Sequence, residues 1–459
     1  MTRAFATLAL LPLLAACGGG GGGGGGGTGA PVAVSYPTDP ALYRAGVAPA
    51  ANAPVVTGGT PTAWTVQPTL PQGLVLDPAT GTISGLPMAA AATGLYTVTA
   101  SNALGSAMTV VSIQVAPPLP PGVLSLADGF EAEHWLAGLA IPDKIAFAPD
   151  GRLFFTELQT GNVRVHDGTQ LLPTPFATLP VLTGPEQGLL GIALAPDFAT
   201  SGHLYVFQST ALDAIAGKPD RNRIVRFTAV GNVGTAPTVI VDGLPIGTVH
   251  NSGDLEFGPD GDLYATVGDT NDMALAQTDG VLAGRVLRYT ATGAIPADNP
   301  SPSSPEWARG LRNTFDLTFH PVTGGLYGAE NGETSQDEIN FIQAGKNYGW
   351  PSFPAGGPTV GYRITQWTPV IAPTSLVLWT GGTFGAAFDG NLFVGGYVDQ
   401  DVRRLVLSGV AFTDLDAELP FLSFAAAGGG NKPLSMAKGP DGALYVSTFD
   451  SIWRVSKAP

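Results

Sequence analysis

The chain contains a single cysteine, Cys17, so no disulfide within it can hold a fold together. Charge is sparse: only 12% of residues are charged, and 21 Lys and Arg face 36 Asp and Glu. The formal charge of −15, with no basic cluster to offset it, excludes the electrostatic footprint of a nucleic-acid binder and disfavours anionic lipid headgroups. Long apolar runs are also missing. The one of note, Ala4 to Leu14, is too short to span a bilayer as a mature helix. What the chain has in abundance is turn formers, 63 Gly and 40 Pro, which favour an all-β protein of many short strands over a helical one. Its 459 residues allow roughly two or three domains.

Arg3 followed by the apolar run fits a secretory signal. Leu14-Ala15-Ala16-Cys17 resembles a bacterial lipobox, which makes residues 1–17 a lipoprotein signal peptide and Cys17 the lipidated residue; an ordinary signal with an incidental cysteine is the alternative. Gly18 to Gly27 can bury no apolar surface, so residues 18–29 read as a flexible tether. Gly18 stands where an aspartate would retain the protein in the inner membrane. The expected location is therefore the outer membrane facing the periplasm, or the cell surface, with the lipid as the membrane partner.

Residues 30–116 alternate apolar and polar positions between turns at Asn52-Ala53-Pro54, Gly58-Gly59, Leu70 to Gly73 and Asp77 to Gly81, which predicts a small β-sandwich. The run GGTPTAWTVQPTLPQGLVLDPATGTISGLP followed by YTVTASNALGSAMTVVSIQV resembles immunoglobulin-like domains of bacterial surface proteins. Without clustered His or Cys and without a catalytic pair, it reads as a spacer or adhesive module. Pro117 to Pro121 is a stiff linker.

Residues 122–459 repeat one hairpin. A turn of the Pro-Asp-Gly kind at Asp150, Asp197, Asp260, Pro321, Asp389 and Asp441 is followed each time by a short strand such as Leu263-Tyr264-Ala265-Thr266. The six copies stand 47 to 68 residues apart, a spacing suited to four-stranded blades with variable loops. A third strand follows five of them: Val163-Arg164-Val165, Val225-Arg226-Phe227, Leu287-Arg288-Tyr289, Arg403-Arg404-Leu405 and Trp453-Arg454-Val455; the fourth has Ile339-Asn340-Phe341. The expectation is an all-β chain, a six-bladed β-propeller behind an immunoglobulin-like sandwich, with Gly122 to Leu136 completing the last blade. The recurrent arginines are assigned to blade edges, not to chemistry.

One stretch, residues 250–289, joins this repeat to the most reactive side chains. His250 precedes the strand Leu255-Glu256-Phe257, and Asp269 follows the strand ending at Val267, so the hairpin between them can bring an imidazole and a carboxylate to one end of a sheet. Arg312-Asn313 and Glu186-Gln187 precede hairpins in the same way, and a propeller gathers such blade ends around its axis.

EQGLLGIALAPDF, HNSGDLEFGPDGDLYATVGD, LAGRVLRYTATGAIPADNP, GLRNTFDLTF and QDEINFIQAGKNYGWP resemble the soluble quinoprotein glucose, aldose and sorbosone dehydrogenases over most of residues 130–459. The resemblance implies an enzyme that oxidises an aldose sugar at its anomeric carbon and passes hydride to pyrroloquinoline quinone (PQQ). It makes His250 the general base and Asp269 its orienting carboxylate. It places Arg312 and Asn313 on the quinone, together with Glu186 (or Gln187, should the loop slip by one), Asn331, Thr374 and Lys432. It also implies calcium (Ca2+) on the quinone through the main-chain carbonyls of Gly332 and Glu333, and a second, structural calcium position at Glu338 and Tyr348.

The sequence departs from the family where cations are needed. The lysine expected in the fifth blade falls on Val398, and an Arg-x-Arg pair falls on Lys432-Pro433-Leu434, leaving one lysine of three expected charges. Two readings stand: a calcium- and quinone-dependent sugar dehydrogenase, or a propeller that has lost the quinone and binds carbohydrate or protein at the surface.

Overall fold

The computed structural model describes residues 29–211, 219–352, 362–424 and 431–458. The expected signal peptide, Cys17 and nearly all of the glycine tether lie outside these residues. Two compact units emerge among the described residues, one chiefly from residues 29–113 and the other chiefly from residue 114 onward.

In the first unit the alternation works as predicted. Tyr96, Val98 and Ala100 on Ala91–Asn102, and Val111 and Ile113 on Gly105–Ala116, are buried, while Leu95, Met108 and Val110 face out. The main sheet runs Ala41–Arg44, Gly105–Ala116, Ala91–Asn102, Ala63–Gln67, beside two small sheets. The turn at Asp77 closes because its Oδ1 accepts the N–H groups of Ala79 and Thr80. Gly81 ends that turn at φ +73°, under the indole of Trp64, where a Cβ would lie 2.4 Å from the ring. Only glycine fits there.

The second unit consists of six antiparallel sheets in succession. Their inner strands are Pro142–Phe147, Leu189–Leu194, Leu255–Phe257, Thr314–Phe319, Pro373–Trp379 and Ser435–Lys438. Each contacts the next, and the sixth contacts the first, so the ring closes into a six-bladed propeller. The segment expected to complete the last blade in fact divides. Val123–Leu126 pairs with Asp414–Phe424 as a fifth strand of the fifth blade, and only Phe130–Ala137 pairs with Ser451–Lys457 in the sixth. Phe130, 1% exposed, then packs edge-on against Phe384, Phe388 and Phe421 of the fifth blade, with ring centroids 4.7 to 5.3 Å apart.

The arginines, assigned to blade edges from sequence, instead tie third strands to turns of their own blades. Asp260 of the third turn accepts from Tyr264 and pairs with Arg288, and Asp441 repeats this with Tyr445 and Arg454. Polar side chains near the axis tie three of the six inner strands to the next: Asp254 accepts the N–H of Leu317, Asp316 that of Leu376, and Ser435 that of Ile145. Lys144 completes this layer, 3.2 Å from Asp254 and 2.5 Å from Asp316, with its side chain 5% exposed. A buried cation so paired costs little while both partners remain and much once one is lost.

Candidate active site

Inner strands begin, and second strands end, on the same rim of the ring. His250 and Asp269 flank the third blade's hairpin on that rim. His250 sits at φ +56°, and its neighbours Ser252, Thr270 and Asn271 also hold positive φ, so four of the ten such non-glycine residues among those described cluster here. Backbone held in this sparsely populated region needs outside support. Glu186 supplies some of it, accepting the His250 N–H at 2.6 Å.

The imidazole Nδ1 lies 2.7 Å from Asp269 Oδ1. An ionised carboxylate can only accept, so Nδ1 carries the proton and Nε2 the lone pair. Among the described residues Nε2 makes no hydrogen bond, and the side chain keeps 13% of its surface exposed. Burial would raise the pKa of Asp269, but hydrogen bonds from His250, the Trp350 indole (2.8 Å, to Oδ2) and the Asn271 N–H (2.9 Å) outweigh it and hold the carboxyl below its ordinary value. The result is a fixed anion behind a base that faces outward.

Arg312 and Asn313 enter from the fourth blade. The Arg312 carbonyl accepts the Asp269 N–H at 2.7 Å, which locks the two blades together. Its guanidinium Nη1 donates to the carbonyls of Asn331 (3.0 Å) and Gly332 (2.8 Å) and lies 5.5 Å from the Trp350 ring. Asn313 donates to Glu186 at 3.3 Å and accepts from Ser252. Gln187 turns to the carbonyl of Gly247 instead, so Glu186 is the residue that joins His250 to Asn313.

Other residues singled out from sequence serve chiefly as ties. Asn331 donates to the carbonyls of Asn313 and Pro373, and Thr374 to those of Pro433 and Gly395. Lys432 lies 4.1 Å from the Tyr397 ring on the site's rim, while Val398 is exposed and Leu434 buried. Glu338 and Tyr348 do line one cavity of about 320 Å³ with Arg312 and Trp350. Glu338 Oε1, however, pairs with Arg363 at 2.8 Å, Asn340 donates to its Oε2, and the Tyr348 hydroxyl donates to the Phe341 carbonyl while accepting from Gln343. Glu333 is exposed. Among the described residues no three His, Cys, Asp or Glu side chains gather as metal ligands.

Sequence reasoning missed three groups. Trp350 holds Asp269. Glu330, buried and accepting from the Arg312 N–H, the Asn313 N–H and the Thr314 hydroxyl, supports the loop that carries Arg312 and Asn313; burial raises its pKa to about 7. Asp143, 4% exposed, is raised by burial, against the pull of Lys144, to about 7 as well. Trp350 lay within a quoted motif, but nothing local ties it to a carboxylate 81 residues away.

Residues 139–452, more than half of the chain, match the glucose/sorbosone dehydrogenase family model. The chain belongs to that family. A second model, an Ig domain, matches residues 28–116. Among relatives, quinoprotein glucose dehydrogenase B of Acinetobacter calcoaceticus is 31% identical over 302 residues, 59% of this chain and 63% of that protein. Aldose sugar dehydrogenase YliI of Escherichia coli is 28% identical over 340 residues, 68% and 87% of the two chains. The structure of the PQQ-bound form of aldose sugar dehydrogenase from Streptomyces coelicolor superposes with a TM-score of 0.60 at 26% identity, covering 72% of this chain and 99% of that one. Within this glucose/sorbosone dehydrogenase family member, His250, Asp269, Arg312, Asn313 and Glu186 form one connected rim site.

Proposed function

We propose that the protein is an oxidoreductase that oxidises an aldose at its anomeric carbon with PQQ as hydride acceptor. The observation that carries this is the His250–Asp269 pair with its outward Nε2, joined through one backbone hydrogen bond to Arg312. Nε2 takes the proton of the anomeric hydroxyl, and the Asp269 anion stabilises the imidazolium that results. Imidazole suits the task because it both accepts and returns a proton near neutral pH. Arg312 and Asn313 would hold the quinone's reacting end, the arginine as a fixed positive charge, and Lys432 would meet its acidic end. When bound, the quinone supplies the two-electron acceptor that no side chain can.

The residues fit calcium less well. The Gly332 carbonyl already faces a guanidinium, and Glu338 and Tyr348 are engaged as described, so no step is assigned to a metal. The exposed Val398 and the committed hydroxyl of Thr374 favour a second reading, a propeller that binds surface ligands without the quinone. In either reading, a lipid on Cys17 would place the protein at the outer membrane or cell surface. Gel filtration of the mature protein with PQQ and calcium tests the first reading: quinone absorbance should co-elute with protein at micromolar concentration. Elution of the quinone with the small molecules alone supports the second.

A further inference from the structure

We propose that Trp350 is a positioning residue that sets the basicity of the His250–Asp269 pair. Four contacts fix its place. Its backbone N–H donates to the Gly310 carbonyl at 2.9 Å, and its carbonyl accepts from Gln277 at 2.7 Å, so this fourth-blade residue is tied to the third blade and to the connection that leaves it. The indole N–H donates to Asp269 Oδ2 at 2.8 Å, and the Arg312 guanidinium lies 5.5 Å from the ring. One side chain thus touches the carboxylate behind the base and the cation beside it.

Asp269 spreads its charge over three donors: His250 and the Asn271 N–H at Oδ1, and the indole at Oδ2. The indole is the sole partner of Oδ2 among the described residues. Taking it away leaves that oxygen unpaired in a site where the side chain is 2% exposed. The remaining charge then draws harder on the Nδ1 proton, and His250 becomes easier to protonate. A larger share of a base that must be neutral to act is then protonated at any given pH. The indole hydrogen bond therefore favours the neutral ring, whose Nε2 can accept a proton. The other charged groups about His250 are Glu186, on its backbone N–H, and Arg312, with Asp143 and Glu330 packed behind these two; the substitution leaves all of them in place.

The catalytic consequence rests on the proposed dehydrogenase reading, but the coupling itself can be read without substrate or quinone. NMR titration of the full chain would follow the His250 ring, assigned by loss of its signal in His250→Gln, in wild type, Trp350→Phe, Asp269→Asn and the double variant. Trp350→Phe should raise the His250 midpoint by roughly half to one pH unit, and should move it far less when Asp269 is already Asn. Within the wild type alone, the Trp350 indole N–H resonance should shift with the same midpoint as His250, which covers the case of a variant that does not fold. An unmoved midpoint in a folded Trp350→Phe, an equal shift in both backgrounds, or an indole signal flat across the His250 titration would overturn the assignment. In the quinone-loaded enzyme the acid limb of the pH–rate profile should move up by the same amount. Coupling without sugar oxidation would leave this inference standing and remove the dehydrogenase reading instead.

Discussion

His250 and Asp269 could be picked out of the sequence because a single hairpin separates them, and hairpins are written in turn residues. Glu330 and Trp350 could not, since their partners come from other strands and loops and their residue types alone signal nothing. Glu330 has a measurable consequence. Burial raises its pKa from the ordinary 4.5 to about 7, so it favours the folded state while protonated. That contribution is complete below about pH 4.5 and is lost as pH rises through about 7. Between those limits it amounts to about 3 kcal/mol by the usual conversion. Denaturant unfolding at pH 5 and pH 8 should therefore show a smaller difference for Glu330→Gln than for wild type, and an equal difference would mean the carboxyl is ionised throughout. Arg312→Ala should weaken quinone binding at least tenfold, because a charge-assisted contact of about 1.5–3 kcal/mol is lost and Val398 and Leu434 supply no charge in its place. Equilibrium dialysis against PQQ measures it.

Alternation and Pro-Asp-Gly turns made the hairpins and third strands legible, whereas the recurrent arginines, assigned to blade edges, pair with carboxylates inside their own blades. The closure of the ring was harder. Val123–Leu126 and Phe130–Ala137 are short and similar in pattern, and their partners, Asp414–Phe424 and Ser451–Lys457, lie some 300 residues on, so no local signal assigns each to its blade. Only the packing of Phe130 does so. If that ring is the fastener between fifth and sixth blades, Phe130→Ala should cost about 3–5 kcal/mol, the usual range for a large core aromatic. Equilibrium unfolding would show this as a lower midpoint with a similar slope, and a change under about 1 kcal/mol would place the fastener elsewhere.

At the scale of the molecule, the sandwich, the propeller and the family were readable from sequence because each rests on patterns repeated many times over. The ties that commit Asn331 and Thr374 were not, since their partners are carbonyls brought in from other blades and loops. Location is a whole-chain property with its own test: Cys17→Ser should move the protein from the membrane fraction to the soluble periplasm, and an unchanged membrane fraction would remove the lipid anchor. The central claim is that an outward-facing His250 drives sugar oxidation on a bound quinone. Stopped-flow absorbance of the PQQ-loaded protein mixed with glucose and other aldoses tests it most directly. Wild type should bleach the bound quinone, and His250→Ala, with quinone still bound, should do so slower by roughly two to four orders of magnitude. Equal rates in the two proteins, or a bound quinone that no aldose bleaches, would contradict the account.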